Sequence, residues 1–465
     1  MNRYYRLSGA HAYGDNAKSF RKSIGRAKGG FLNVTLPLAR NGSWLCLRKI
    51  RVSREGSFRS KSFRAGSRRT SWSNGCRTFV QSDSRKSAAL VFQSFRVCFH
   101  QTIRSAGSPL MTEVAYFDAA ANLTDDMYLG VYNGKKYHDP DISHILERAA
   151  GEGIREILVT AGSLEQSRAA INLVSKTRRG QLSQLRSGWP KLYATVGVHP
   201  TRCGEFFSGD NISSMAAKSS AEAHLRALRE LLLEAAAASK EAASETEPSV
   251  VAIGECGLDY ARTQFCEPEV QKRGLELQLQ LAAECRLPLL LHNRESTADL
   301  VEILKRYHKR LCAGGLVHSF DGSPEDASSL LDLGFYIGLN GCSLKTEENL
   351  RVVRDYIPLD RLIIETDCPY CEIRPSHASY QFMSAQGEDI ARLGWSSGPR
   401  FEKKKHRPGF GVRGRNEPCG IVQVCAVISK IKSLPMKEVA AAARSNARSL
   451  FLHSETGKAS ENSLG

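Results

Sequence analysis

The 465-residue chain carries 65 basic and 48 acidic residues. Residues 1–110 hold 22 of the basic residues and 3 of the acidic ones, and the remainder, with 43 and 45, is nearly neutral. The basic charge is therefore a property of the N-terminal segment. The 13 cysteines are scattered along a long chain, which excludes a small disulfide-stapled secreted domain. No run of 18 apolar residues predicts a membrane span.

The segment 1–110 is rich in Arg, Ser and Gly and shows no sustained periodicity (SFRSKSFRAGSRRTSWSNGCR). We expect it to be a disordered basic extension. Its composition is typical of an organellar transit peptide, which would indicate the mitochondrion or the chloroplast. The alternative is an over-extended translation start with Met111 as the true first residue, and the protein would then be cytoplasmic or nuclear.

From residue 114 onward, apolar β-branched runs alternate with amphipathic helical patterns. Such alternation predicts a parallel sheet that is buried on both faces, and eight repeats predict an α/β fold of the TIM-type (β/α)8 barrel kind over 111–465. A basic loop is expected at 396–415, and closing helices at 420–452. The strands are expected at 114–122, 156–162, 192–200, 250–260, 287–294, 314–320, 335–341 and 361–367.

Ionisable side chains stand where four of these strands end. Glu255 ends the fourth strand, His292 the fifth, His318 the sixth and Asp367 the eighth. Because the active site of a TIM barrel forms at the carboxyl ends of its strands, we expect these groups to converge. Two imidazoles and two carboxylates are a ligand set for a divalent metal ion, and Glu255, inside an apolar run, needs a cation.

Three further residues occupy comparable positions. His199 ends the third strand, and Asp118 and Asn122 lie at the end of the first. We expect each to contact the metal or the substrate. For any one of them, a structural hydrogen-bonding role is the alternative.

The stretch RLIIETDCPYC contains a Cys-x-x-Cys pair, Cys368 and Cys371, which on its own indicates a dithiol redox site. Such a site requires a helix after the pair, whereas Pro375 and a Ser/His run predict a loop. We therefore assign the chemistry to Asp367 and not to the thiols.

Several stretches together resemble the TatD deoxyribonuclease family, and especially its eukaryotic branch. They are TVGVHPTRCGEF, VVAIGECGLDY, LPLLLHNRES, VHSFDGS, YIGLNGCSLKT, IIETDCPYC and RNEPC, and they span about residues 114–453. The resemblance implies a metal-dependent hydrolase of DNA phosphodiesters, acting as a 3′→5′ exonuclease, an endonuclease or both. It implies that Glu255 bridges two ions, that His292 and His318 bind one of them, and that Asp367 binds the other and activates water. His199 matches a position near the substrate phosphate.

One departure concerns the first strand. Bacterial members begin with Asp-x-His-x-His, whereas Asp118, Ala120 and Asn122 stand at the corresponding positions here. Both histidine ligands are therefore missing, as in eukaryotic members. Asn122 offers a carbonyl oxygen, which favours Mg²⁺ or Mn²⁺ over Zn²⁺. One or two divalent cations per chain are expected.

A nuclease must also hold an anionic backbone. Arg294, Lys345 and the basic loop around Lys403–Arg415 are candidate phosphate contacts, with solvated surface charge as the alternative. DNA is the expected partner, without a membrane or an obligatory protein partner. The alternatives are a hydrolase of the same fold acting on another ester or amide, such as aminoacyl-tRNA, and a non-catalytic nucleic-acid-binding relative.

Overall fold

The computed structural model describes residues 32–40, 43–52, 58–62, 114–181, 188–207, 214–241, 247–311, 313–383 and 399–452. The chain divides into two compact units, Met1–Pro109 and Leu110–Gly465. Among the described residues, no single helix is long and apolar enough to cross a bilayer. Two consecutive helices meet that criterion only when taken together, and they are bent by 114° at their junction.

The first unit contains a three-stranded antiparallel sheet formed by Leu32–Arg40, Ser43–Val52 and Phe58–Ser62. This sheet differs from the disorder predicted for 1–110. In the first strand, apolar residues occur at every second position from 32 to 38, a period typical of β-structure. The rest of 1–110 lies outside the described residues, and there disorder stays a prediction.

The second unit is the predicted α/β barrel. Its eight strands pair in parallel, and each lies beside the next strand along the chain. All eight predicted strands are confirmed, and most end a few residues earlier than expected. They are β1 Tyr116–Ala121, β2 Ile154–Val159, β3 Lys191–Val196, β4 Val250–Asp259, β5 Leu289–Arg294, β6 Gly315–Val317, β7 Tyr336–Leu339 and β8 Leu362–Ile364.

Helices connect the strands and close the chain. The two predicted C-terminal helices are present as the last two of the series. The helices are α1 Ile142–Gly151, α2 Leu164–Arg178, α3 Met215–Glu241, α4 Pro268–Cys285, α5 Thr297–Tyr307, α6 Pro324–Asp332, α7 Glu347–Asp355, α8 Ile421–Lys432 and α9 Met436–Leu452.

The last strand meets the first at the carboxyl ends of the strands. A parallel bridge joins Ala121 to Cys368. The Asp367 N–H donates to the Ala120 carbonyl at 2.8 Å, and the Asn122 N–H donates to the Cys368 carbonyl at 2.8 Å. These bonds bring β1 against the segment that follows β8, so the predicted active-site end of the barrel is held together by backbone.

One apolar cluster defines the inside of the barrel. It takes residues from seven of the eight strands and from α9, a combination that only the interior can provide. Leu290 of β5, Leu316 of β6 and Ile363 of β8 belong to it, together with Phe451 of α9. Because side chains alternate along a strand, residues two and four positions further along each strand continue on this inner side.

Candidate metal centre

Glu255 of β4 lies at the centre of a histidine cluster. Its Oε1 is 2.9 Å from Nδ1 of His292 and 2.9 Å from Nε2 of His318. The same oxygen is 3.4 Å from Nε2 of His199, and Glu255 is 8% exposed. Three imidazoles from three different strand ends therefore surround one buried carboxylate, as the sequence predicts.

The strand pattern explains this convergence. His292 and His318 follow the core residues Leu290 and Leu316 by two positions, so both face the barrel interior at its open end. Gly257 permits the close approach of β4 and β5. It has a φ of 143°, and a Cβ there would lie 1.9 Å from the His292 carbonyl oxygen. The glycine in GECGLDY thus brings His292 next to Glu255.

Two carboxylates that were not predicted from the sequence lie on the far side of the histidine rings. Asp259 Oδ2 is 3.2 Å from Nε2 of His292, and Glu365 Oε1 is 3.5 Å from Nδ1 of His318. Both carboxylates are fully buried. A carboxylate on the far ring nitrogen fixes the orientation of a metal-binding histidine and raises its basicity.

Burial and neighbouring charges shift the pKa values of the groups in this cluster in opposite directions. Burial would raise the pKa of Glu255, but the imidazoles of His318 and His199 hold that pKa well below its ordinary value. Burial would lower the pKa of His318, but the Glu255 carboxylate raises it well above the usual range. Burial lowers the pKa of His199 to about 3, despite Glu255. His199 is therefore neutral at physiological pH, whereas Glu255 and His318 form an ion pair.

Asp367 stands at the same end of the barrel, four residues after the core residue Ile363. Its Oδ1 accepts a hydrogen bond from the Asn122 amide at 2.8 Å, and its Oδ2 accepts one from the Cys371 thiol at 3.2 Å. Burial raises the pKa of Asp367 to about 6, and His318, Glu255 and Glu365 also act on it. Asp367 is thus near the histidine cluster and poised to exchange a proton close to neutral pH.

The side-chain oxygen of Asn122 does not face Asp367 as a free carbonyl. It accepts a hydrogen bond from the Thr160 hydroxyl at 2.6 Å, while the amide nitrogen faces Asp367. The carbonyl oxygen predicted from the sequence as a metal ligand thus accepts one hydrogen bond, and its role as a metal ligand stays a prediction. In this arrangement Asn122 orients the Asp367 carboxylate.

The contacts of Asp118 are with the segment after β8. Its two carboxylate oxygens accept hydrogen bonds from the Thr366 N–H at 2.8 Å and the Thr366 hydroxyl at 2.6 Å. Along β1, Asp118 lies between Phe117 and Ala119, whose side chains face the barrel interior. The Asp118 side chain therefore does not belong to the inner face and supports the backbone next to Asp367. Its described hydrogen bonds do not reach the histidines.

The two predicted phosphate contacts are Arg294, the last residue of β5, and Lys345, which lies on the loop after β7. Arg294 and Lys345 are exposed. Burial raises the pKa of Asp321, which follows β6, and Arg294, His292 and Lys345 all oppose this rise. Both cations are thus close enough to Asp321 to act on its carboxyl group, and they flank the same end of the barrel as His292.

The two thiols of the Cys-x-x-Cys stretch have different surroundings. Cys368 is fully buried, and burial raises its pKa well above the ordinary value. The Cys371 thiol donates to Asp367. The described residues that follow, up to 383, contain no α-helix, and residues 378–383 form a 3-10 helix. Neither thiol has the helix N-terminus that lowers a thiol pKa in dithiol redox sites. The surroundings favour the carboxylate as the reactive group.

The donor set fits a divalent cation. Among the described residues, one group has ligand atoms that all lie within 4.8 Å of one another, and it comprises His199, Glu255 and His292. Nε2 of His318 lies 3.3 Å from Nδ1 of His292 and joins the same cluster. Imidazole nitrogens around one carboxylate are the ligands of catalytic divalent metals. The buried Asp259 Oδ1 has no hydrogen-bond partner, in agreement with a site that accommodates further positive charge.

Residues 117–452 match the sequence model of the family described as TatD related DNase. The chain belongs to the TatD-related DNase family. A relative from Schizosaccharomyces pombe, named deoxyribonuclease Tat-D, is 35% identical over 324 residues, which are 70% of this chain and 91% of that protein. The Salmonella typhimurium protein named 3′-5′ ssDNA/RNA exonuclease TatD is 29% identical over 55% of this chain and 79% of its own.

Solved structures of the TatD family share the barrel. An amidohydrolase from Saccharomyces cerevisiae superposes with a TM-score of 0.64 at 34% identity, covering 73% of this chain and all of that one. A TatD family hydrolase from Entamoeba histolytica gives a TM-score of 0.59 at 33% identity, covering 73% of this chain and 98% of that chain.

The polarity of the cluster predicts that metal binding releases a proton. His318 carries a raised pKa, so it is protonated at neutral pH and must lose that proton before a cation can bind its Nε2. The affinity for Mn²⁺ should fall as the pH falls from 8 to 6, by up to about tenfold per pH unit for one competing proton. Calorimetric titration of the full chain in two buffers of different ionisation enthalpy measures the released protons. An affinity that is constant over this pH range would contradict the Glu255–His318 ion pair.

Proposed function

We propose that this TatD-family protein is a metal-dependent deoxyribonuclease that hydrolyses phosphodiester bonds of DNA. The observation that carries the proposal is the cluster of Glu255, His292 and His318 at the open end of the barrel, with Asp367 beside it. The names of the relatives, which include a deoxyribonuclease and a single-stranded DNA and RNA exonuclease, support DNA as the substrate.

The TatD resemblance implies which residues would hold the metal, and the clustered donor atoms of Glu255, His292 and His318 support that assignment. Glu255, His292 and His318 would hold one divalent ion, and Glu255 with Asp367 would hold a second. When bound, such an ion lowers the pKa of water, offsets phosphate charge and stabilises the leaving oxygen. Mg²⁺ and Mn²⁺ are the ions we propose, since oxygen ligands from Asp367 and Glu255 suit them, and Zn²⁺ is the alternative that the imidazoles allow.

Asp367 is the base in the proposed reaction. Its carboxylate lies at the open end of the barrel with the histidine cluster, where it can accept a proton from the attacking water. The Asn122 amide and the Cys371 thiol hold its two oxygens in place. Asp118 and Thr366 fix the backbone before it.

The remaining polar groups would bind the phosphate. His199 is neutral, and its Nδ1 is engaged with the Thr201 hydroxyl at 2.7 Å, so its Nε2 is the nitrogen that faces the cluster. That nitrogen can hydrogen-bond a phosphate oxygen without needing to change charge. Arg294 and Lys345 would provide positive charge from the neighbouring loops.

The test is cleavage of labelled oligodeoxynucleotides by the full chain. Single-stranded and duplex DNA, each labelled at the 5′ or the 3′ end, are incubated with Mg²⁺, with Mn²⁺ or with EDTA. We expect cleavage only with a divalent ion, and the product ladder gives the polarity. If folded, metal-loaded protein does not cleave DNA but hydrolyses aminoacyl-tRNA or another ester, that ester and not DNA is the substrate. Metal-independent DNA binding without any hydrolysis would indicate a non-catalytic relative.

A further inference from the structure

Two loops that are distant in sequence form one basic surface. A short hairpin pairs Val131–Tyr132 with Lys135–Lys136 after β1, and the segment 400–414 follows β8. We call their exposed cations the basic surface. It comprises Lys135, Lys136, Lys404, Lys405, Arg407 and Arg413.

These loops have a net positive charge, whereas the rest of the barrel unit has a net negative charge. Residues 131–139 and 400–414 contain eight basic and two acidic residues. The rest of 111–465 contains 35 basic and 43 acidic residues. A local excess of this kind, on a unit that is otherwise acidic, indicates a surface for a polyanion.

Aromatic and charged contacts fix the two loops to each other. The Lys403 Nζ lies 5.1 Å from the centre of the Tyr132 ring and 4.8 Å from that of Tyr137. The rings of His138 and His406 stack with centres 4.1 Å apart. The exposed lysines therefore lie on two loops that are already packed together. Less loop entropy is then lost when a ligand binds.

The basic surface lies on loops that leave the barrel at the end where Asp367 stands. Its two loops follow β1 and β8, the strands whose ends carry Asn122 and Asp367. Tyr370 lies between, with its hydroxyl donating to Asp125 at 2.6 Å, just before the hairpin. The Asn416 amide, just after the second loop, donates to the Thr366 and Tyr370 carbonyls at 3.1 and 2.9 Å. These bonds join the segments that flank the two basic loops to the backbone on either side of Asp367.

Tyr370 adds an aromatic platform at this junction. It is 48% exposed, although its hydroxyl is engaged, so the ring offers apolar area to solvent three residues after Asp367. Nucleic-acid bases that are not paired stack on such rings without sequence preference. A stacking ring followed by a row of cations is the combination that binds single-stranded nucleic acid.

We propose that the basic surface binds the single-stranded flank of the DNA substrate beyond the scissile phosphate, with Tyr370 stacking a base where the strand leaves the metal centre. The proposal rests on the proposed nuclease function for the identity of the ligand. It assigns to the hairpin and the 400–414 segment the role of a binding site for several nucleotides.

The test compares two variants that lose the same charge. The first replaces Lys135, Lys136, Lys404 and Lys405 by Gln. The control replaces four exposed lysines elsewhere on the barrel by Gln: Lys176, Lys218, Lys305 and Lys309. Fluorescence anisotropy of a labelled 25-nucleotide single strand, with EDTA present, measures binding without chemistry. Hydrolysis of bis(4-nitrophenyl) phosphate with Mn²⁺ measures the metal centre without a flank.

We expect the first variant to bind the 25-mer at least about tenfold more weakly in 0.1 M salt, and the slope of log Kd against log salt to fall by about three. Its hydrolysis of the small phosphodiester should equal that of the parent protein. The control variant should match the parent in both assays. Tyr370→Leu should weaken single-strand binding by about fivefold or more while preserving duplex binding.

Three outcomes would overturn the proposal. If the two lysine variants bind the 25-mer with equal affinity, the lysines of the basic surface contribute no more to binding than lysines elsewhere on the barrel. A loss confined to duplex DNA would show that the occupant is a duplex. A parallel loss of small-phosphodiester hydrolysis would assign these lysines to the metal centre. If the parent protein cleaves no phosphodiester at all, the nuclease function fails, whereas the anisotropy comparison still decides whether the basic surface binds a single strand.

Discussion

Replacement of Glu255 by Gln is expected to abolish DNA cleavage, with a loss of about 10³-fold or more. The change keeps the shape of the side chain but removes the charge that faces three imidazoles in a buried site. A divalent ion contributes several kcal/mol of transition-state stabilisation, and about 4 kcal/mol corresponds to 10³-fold in rate. The measurement is kcat/KM on a labelled single strand with saturating Mn²⁺, beside the Mn²⁺ affinity of the same variant.

The matched control is Glu325→Gln in the exposed first turn of α6, which should leave both quantities within about twofold. Circular dichroism of both variants tests that the barrel is intact. A Glu255→Gln protein that is folded and still cleaves DNA at a rate near that of the parent would refute the assignment of Glu255 as the central ligand.

Replacement of Arg415 by Met is expected to destabilise the barrel by about 3–5 kcal/mol. The Arg415 side chain is fully buried and donates to both oxygens of Asp141, at 2.8 and 2.6 Å, and to Glu417 at 3.0 Å. Methionine fills similar space but leaves two carboxylates buried without that partner. The midpoint of thermal unfolding, followed by circular dichroism, should fall by about 4–7 °C.

Arg413→Met is the control because Arg413 is 67% exposed and pairs with the exposed Glu402 at 3.5 Å. Such surface pairs contribute at most about 1 kcal/mol, so its midpoint should change little. Equal midpoints for the two variants would show that the Arg415 network does not support the fold. The predicted Lys403–Arg415 loop therefore has two parts: its last residue, Arg415, is buried and structural, whereas Lys404, Lys405, Arg407 and Arg413 are exposed.

The barrel could be predicted because its signal repeats. Each parallel strand buries both faces and is therefore a continuous apolar run, and eight such runs alternate with helices. The strand ends were less predictable. His318 continues the apolar run of β6 in sequence, but the strand ends at Val317, although the His318 N–H still donates to the Leu291 carbonyl at 2.9 Å. Glu255 and His292 lie within β4 and β5, whereas His318 and Asp367 lie just beyond the ends of their strands, and no local pattern marks where a strand ends.

The residues of the candidate metal centre could be predicted from the sequence where they end a predicted strand. Glu255, His292 and His318 were found because they end apolar runs, and the structure places them within hydrogen-bond distance. Asp259 and Glu365 were missed, although each has a usable signal: Asp259 lies four positions after Glu255 on one strand, and Glu365 lies two before Asp367. Side chains at even spacing share a face of a strand.

Contacts between distant segments could not be derived from local patterns. Asn122 and Asp367 are 245 positions apart, and only the closed barrel shows that the Asn122 amide nitrogen, and not its oxygen, faces the carboxylate. The contact of Cys371 with Asp367 depends on the turn after β8. The basic surface likewise depends on the pairing of Lys403 with a hairpin more than 260 residues earlier.

The most direct test of the central claim is a titration of the full chain with Mn²⁺, in which electron paramagnetic resonance counts the free ion and DNA cleavage is measured in the same samples. If Glu255 and its histidines form a catalytic metal centre, at least one ion binds per chain. Cleavage then rises in proportion to occupancy and disappears with EDTA. Cleavage that persists unchanged after the metal has been removed, or stoichiometric binding that leaves cleavage unaffected, would contradict a metal-dependent nuclease at this site.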